Sequence, residues 1–342
     1  MGRNEASIDG VAKALNRFET YTKFRDFKQF HIDQVRGFKT HLTTQANART
    51  GEKLSAATLH STLGALKAFF KWLADRAGYK SRIKYADAEY FNLSDKDTRI
   101  ATAHREKRAP TVEQIRHVLA LMPAQTNIEK RDRALVAFTL LTGARDRAIA
   151  SFKLKHIDVV ACKIEQDARD VKTKASKTFT TWFFPVGEDI RSIVLDWVSF
   201  LTQEKLWSKD DPLFPATEVA PGPDMRFAAV GLARKHWSTA AAIRQIFKKA
   251  FEKAGLPYAN PHSFRNTLTH LAYELPLEAL QLKVWSQNLG HENLMTTVCS
   301  YGTISSHQQA EVMKELASPR PRGLEQAQIV QRLAEMVAQL QV

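Results

Sequence analysis

Six polar residues spread over the C-terminal two thirds of this 342-residue chain have the chemistry to break and remake a phosphodiester. Arg145 closes Thr142-Gly143-Ala144-Arg145, and Lys174 closes Lys172-Thr173-Lys174. His262 and Arg265 bracket His262-Ser263-Phe264-Arg265, His291 ends Leu289-Gly290-His291, and Tyr301 follows. Two guanidiniums can grip a phosphate bidentately and stabilise the charge of a five-coordinate transition state. A phenol can attack phosphorus, and an ammonium or an imidazole can move the protons that attack and departure require. Taken singly, each residue has a commoner role. An arginine after a helix end caps it or faces solvent, a hairpin lysine is an edge charge, and a histidine caps or fills a core. A lone tyrosine is usually a half-buried aromatic. The argument rests on the set.

Charge points the same way. Fifty Lys and Arg stand against 36 Asp and Glu, a net +14 that attracts a polyanion over long range. Through Arg108 the count is 21 basic against 12 acidic side chains, so the first third holds +9 of that charge. Cys162 and Cys299 have no close Cys or His companion, which disfavours a disulfide scaffold or structural zinc and fits a reducing interior. No apolar run approaches a membrane span, and the opening Met1-Gly2-Arg3-Asn4-Glu5 is polar with no apolar signal core behind it. A soluble, cytoplasmic protein is expected. Neither a Walker-type phosphate loop nor a paired-carboxylate metal signature occurs, so no cofactor is expected.

The elements that must carry these groups fall into two domains, as the length suggests. In residues 11–30 apolar positions recur as Val11, Leu15, Phe18, Tyr21, Phe24, Phe27 and Phe30, a helical stripe. Ile32, Val35, Phe38 and Leu42 make a second stripe. Ser55 caps a third helix that buries Leu59, Leu63, Leu66, Phe69, Phe70 and Leu73 and leaves Lys67, Lys71 and Arg76 largely on the other face. Those cations are either a solvated surface or a phosphate-facing one. Residues 94–108 are polar and charged with almost nothing to bury, which predicts a linker.

Order restarts at Pro110-Thr111, where Thr111 and Gln114 have capping-box spacing. A helix over 131–141 ends at Gly143 and presents Arg145 from a tight turn. Extended segments are expected near 157–164, 167–174 and 179–185, with a turn at Ala175-Ser176 and Lys172, Lys174 and Lys177 clustered there. Ile190, Ile193, Val194, Trp197 and Leu201 predict a core helix. Residues 210–235 hold four prolines and little periodicity, so they read as a loop-rich insertion in which Arg226, Arg234 and Lys235 could touch a polyanion. A helix over 239–254 follows, and Pro261-His262 opens another whose N-terminal amides suit an anion.

The order and local spelling of these motifs resemble the tyrosine recombinases, the phage-integrase or Xer-like family, over nearly the whole chain. Leu289-Gly290-His291 followed by Thr296-Thr297 and Tyr301 is the most diagnostic piece, and the stretch from Leu54-Ser55-Ala56-Ala57-Thr58 to Phe69-Phe70-Lys71-Trp72-Leu73 is similar to the core-binding domain of integrases. The resemblance implies a mainly α fold with a small antiparallel β-sheet. It also implies a two-domain C-shaped clamp: a helical, SAM-like DNA-binding domain over 1–105 and an α+β catalytic domain over 106–318. A C-terminal amphipathic helix over 319–342 carries Ile329, Leu333, Met336 and Leu340 at coiled-coil spacing and packs on its own domain or on a neighbour.

By the same resemblance, Tyr301 attacks DNA to leave a 3′-phosphotyrosyl link and a free 5′ hydroxyl. Arg145 and Arg265 clamp the phosphate, His262 assists the tyrosine's proton, and His291 donates to a non-bridging oxygen. A lysine of the hairpin, Lys174 in first place with Lys172 and Lys177 still open, protonates the leaving oxygen. Lys67, Lys71, Arg76, Lys172, Lys177, Arg226, Arg234 and Lys235 are candidate DNA contacts. The family usually has an acidic residue where this chain has Ala148, with Asp146 the nearest substitute. The implied partners are duplex DNA with inverted half-sites and further copies of the chain, a homotetramer on DNA with a monomer one option in solution. A non-catalytic DNA-binding regulator and a type IB topoisomerase-like nicking and closing enzyme are the alternatives.

Overall fold

The computed structural model describes residues 5–47, 50–103, 109–221, 226–291 and 313. It divides into two compact units, Met1–Arg105 and Glu106–Val342. The amphipathic segment expected over 319–342 lies outside the described residues, as does Tyr301.

The first unit is helical: α1 (Glu5–Tyr21), α2 (Ile32–Thr44), α3 (Ala56–Leu73) and α4 (Asp95–Thr102), with a 3₁₀ segment at Tyr85–Phe91. Ser55 accepts a hydrogen bond from the Thr58 amide and starts α3 as its position predicts. The core is aromatic. Phe70 is fully buried and meets Phe18, Phe30 and Phe91 at centroid distances of 5.5, 4.4 and 5.1 Å.

Two readings of this unit need correction. The apolar stripe through Phe24, Phe27 and Phe30 is not one helix, because Lys23 and Phe24 turn left-handed (φ 54° and 53°) and only a 3₁₀ turn at Phe27–Gln29 follows. The polar stretch expected to be wholly linker contains α4, capped by Ser94 with Asp95 and Asp97 in its first turn and no buried residue. Cap and charge–dipole interactions support a helix that apolar periodicity could not reveal.

The second unit is built around α6 (Asn127–Thr142), preceded by α5 (Val112–Leu121). Both start at capping boxes, Thr111 with Gln114 and Thr126 with Glu129. Every residue from Ala134 to Thr142 is buried, so α6 is a central core helix. It stops at Gly143, whose φ of 59° suits glycine, and a Cβ there would lie 2.9 Å from Leu289 Cδ2 and 3.0 Å from Leu268 Cδ1. A four-residue helix α7 (Asp146–Ile149) follows.

Strands β1 (Ile157–Asp158), β2 (Lys163–Gln166) and β3 (Phe179–Trp182) form an antiparallel sheet in that order, with Ile164 opposite Thr181 and Gln166 opposite Phe179. Helix α8 (Glu188–Ser199) continues into a π turn at Phe200–Glu204. The hairpin β4 (Ala216–Pro221) and β5 (Phe227–Ala233) comes next, then α9 (Ala241–Lys253), α10 (Ser263–Glu274) and α11 (Ala279–Asn288). Among the described residues, no helix is long and apolar enough to cross a membrane.

Here too the expectations shift. Residues 167–174 are not a strand: Asp167 accepts from the Arg169 amide at 2.9 Å and the Val171 amide bonds the Asp167 carbonyl, so the chain turns away from the ladder. The stretch read as a loop-rich insertion contains β4 and β5. Proline is tolerated there because both strands of a two-stranded ribbon are edges, and Pro221 sits at the last pairing, opposite Phe227. Phe70→Ala should lower the unfolding free energy by about 3–5 kcal/mol in a denaturant titration of the full chain, because it empties the centre of the aromatic core.

Candidate active site

Four separate elements deliver the candidate side chains. The α6–α7 turn presents Arg145, the backbone N-cap of α7. The β2–β3 connection presents Lys174 from a 3₁₀ turn in which Ala175 and Ser176 are left-handed at φ 58° and 51°. His262 is the N-cap residue of α10, and Arg265 lies one turn along that helix. This start is organised by Asn260, whose side chain accepts from the Ser263 amide at 3.1 Å. His291 follows α11 through Gly290, which has φ 68° and so little room that a Cβ would meet the Phe179 ring at 2.7 Å.

Arg265 joins two of these elements. It is buried, and its guanidinium donates through Nη1 to the Gly143 carbonyl and through Nη2 to the Leu289 carbonyl. The same Nη2 lies 3.0 Å from His291 Nε2. Since arginine only donates, Nε2 accepts there and the neutral ring keeps its proton on Nδ1.

The electrostatics confirm one neighbourhood. Burial, reinforced by the charge of Arg145, pulls Arg265 down to about 9, still a cation at neutral pH. Burial also lowers Arg145. His291 is depressed to about 4, first by burial and then by the charges of Arg265, Arg145, His262 and Lys174. Five of the six sequence candidates therefore share one field, and the sixth, Tyr301, lies outside the described residues. Among the described residues neither Arg145 nor Arg265 has a carboxylate partner. Two guanidiniums in one field with no carboxylate beside them among the described residues have the chemistry to bind an anion.

The remaining candidates are placed as follows. Lys172 is exposed and its charge acts on His236, whereas the charge of Lys174 acts on His291; Lys177 is half-buried. Asp146 does not brace Arg145 but pairs with Arg244 of α9, at 2.7 Å to its Nη2. Lys67 and Lys71 share Glu89 at 2.7 and 2.6 Å, and hydrogen bonds from both help hold its carboxyl at about 2. Arg76 lies over the Trp72 ring at 4.8 Å. Arg234 is paired with Asp211, Lys235 closes the base of the β4–β5 hairpin through its carbonyl, and Arg226 is exposed just ahead of β5.

Sequence reasoning missed Asn260 and Asn288. The Asn260-Pro261 dipeptide was a legible turn signal. Asn288 carried none, since its partner Trp182 is remote in sequence.

Comparison with known proteins places the chain in a family. The profile of the phage integrase family matches residues 111–307, more than half of the chain. A tyrosine recombinase XerC of Lactobacillus leichmannii is 24% identical over 265 residues, covering 77% of each chain. Among solved structures, the XerH site-specific recombinase bound to palindromic difH substrate, a post-cleavage complex, superposes with a TM-score of 0.62 at 19% identity, covering 92% of this chain and 80% of that one. A lambda integrase dimer bound to a COC′ core site gives 0.58 at 12% identity, covering 89% and 92%. The chain belongs to the phage integrase family, the tyrosine recombinases, enzymes of site-specific DNA recombination.

The field at His291 has a measurable sign. With a folded value of about 4 against an ordinary 6.5, the unfolded chain binds a proton in that window that the folded site refuses. This residue's contribution to stability is therefore present above pH 6.5 and lost as pH falls towards 4. Arg145→Ala should raise the His291 value, read by NMR titration of the imidazole; an unchanged value would show that the guanidinium does not act there.

Proposed function

We propose that this recombinase cleaves duplex DNA by direct attack of Tyr301 on phosphorus, with Arg145, Lys174, His262, Arg265 and His291 as the catalytic set. The observation that carries the reading is the shared field at His291, fed by cations from separate elements. Arg145 and Arg265 clamp the non-bridging oxygens and stabilise the added charge of the five-coordinate transition state. As the Tyr301 oxygen bonds to phosphorus, the P–O5′ bond breaks. The 3′ side remains as a phosphotyrosyl ester, which conserves the bond energy for rejoining.

His262 assists removal of the phenolic proton, and Lys174 delivers a proton to the departing 5′ oxygen. Its compact ammonium on a flexible stem suits that task. His291, held neutral by burial and the surrounding cations, gains proton affinity when an anionic phosphate offsets those charges, and then donates to a non-bridging oxygen. Attack by a second strand's 5′ hydroxyl reverses the sequence and exchanges partners. The chemistry needs neither metal nor nucleotide.

The partner is DNA, carried here by family membership and charge and paralleled by the DNA-bound XerH and lambda integrase structures. We extend this to inverted half-sites occupied by a homotetramer in the cytoplasm. Lys67 and Lys71 would have to exchange Glu89 for phosphate in that complex.

A suicide DNA substrate tests the reading. Wild type should form a covalent protein–DNA adduct and Tyr301→Phe none, while Arg145→Ala and Arg265→Ala should each slow adduct formation by about 10²–10³-fold. A wild-type chain that binds but never forms the adduct would leave a DNA-binding regulator. Joining between two duplexes then separates recombination from simple relaxation.

A further inference from the structure

Strand β3 is the outer strand of its sheet, and the backbone of Trp182 at its end is not left to solvent. The side chain of Asn288, the last residue of α11, accepts from the Trp182 amide at 2.7 Å and donates to the Trp182 carbonyl at 2.8 Å. One primary amide thus takes the place of a neighbouring strand. A second tie lies alongside: Thr181 Oγ1 donates to the Asn288 carbonyl at 3.0 Å and accepts from the buried Gln166 side chain of β2 at 3.0 Å. At the other end of β3 the Phe179 ring closes over Gly290. Lys174 enters β3 through a short left-handed turn, and His291 leaves α11 through Gly290. Both side chains therefore hang from the two segments that Asn288 joins.

We propose that Asn288 is a positioning residue that registers the Lys174 loop against the His291 turn; this rests on the reading of Lys174 as general acid. The His291 turn keeps other anchors, because Arg265 binds the Leu289 carbonyl and the His291 amide bonds the Ser286 carbonyl at 3.1 Å. On the β3 side the strand keeps its ladder to β2 and the Thr181 tie, and Asn288 supplies the only side-chain clamp on the Trp182 backbone among the described residues. Loss of the amide removes two of the bonds that tie β3 to α11 and should shift the lysine loop relative to the imidazole. The fold should tolerate that loss, since Trp182 is 56% exposed and water can satisfy its freed amide and carbonyl.

A sulfur substrate isolates the effect. In DNA with a bridging 5′-phosphorothiolate, the Tyr301 oxygen–phosphorus bond forms as the P–S bond breaks. Sulfur departs with the electron pair as a thiolate, which needs no proton because a thiol is far more acidic than an alcohol. Asn288→Leu should cleave ordinary DNA about 10- to 100-fold more slowly than wild type. On the sulfur substrate it should return to within an order of magnitude of wild type, with an unchanged melting temperature. Asn288→Asp, which keeps the acceptor but sets a carboxylate oxygen against the Trp182 carbonyl, should behave alike and serves if the leucine variant folds poorly.

Lys174→Ala is the control. If sulfur rescues it but not Asn288→Leu and Asn288→Asp, or if these two cleave ordinary DNA at the wild-type rate, the registering role is wrong. If sulfur fails to rescue Lys174→Ala itself, the general-acid reading is wrong and the coupling falls with it.

Discussion

A buried guanidinium with no carboxylate beside it among the described residues is the interaction on which the rest of this site depends. Arg265 spends its donors on the carbonyls of Gly143 and Leu289, 122 and 24 residues away along the chain, and on the imidazole of His291. Those bonds pin the end of α6 to the end of α11. They also fix a positive charge where burial opposes it, and Arg145 adds a second. Burial of the Arg265 charge is offset by the carbonyls and the imidazole that accept from it, and the core around it is well filled.

The surrounding architecture serves that constraint. Helix α6 is buried over its last two turns and ends in a left-handed glycine packed on Leu289 and Leu268. Gly290 admits the Phe179 ring, so β3 and the His291 turn touch where no side chain could fit between them. The small sheet is a lever that carries the lysine loop to the site. It is attached to α11 both by hydrogen bonds and by packing of Phe184, just past β3, on Trp285 at 4.9 Å.

Much of this was legible in the residues. Capping boxes at Thr111 and Thr126, the cap at Ser55 and the stop at Gly143 act over a few residues, and local physics governs them. The apolar stripes of α2, α3, α8 and α9 are equally local. Other features were not. The strand expected over 167–174 gives way to an Asp167 turn, because a side-chain hydrogen bond competed with a ladder that had no partner left. The hairpin over 216–233 was hidden because its exposed faces lack alternation and its prolines mimic a loop. Helix α4 was hidden because it buries nothing.

By itself, the sequence determined which chemical groups are present, in what order, and which helix ends and turns hold them, since these follow from spacing and backbone preference within one or two turns. Only the tertiary structure decided that the charge of Lys174 acts on His291 and that of Lys172 on His236, that Asp146 answers Arg244 instead of Arg145, and that Asn288 clamps Trp182. The physical reason is that Coulomb fields, desolvation and hydrogen bonds depend on distance through space, which separation along the chain does not encode.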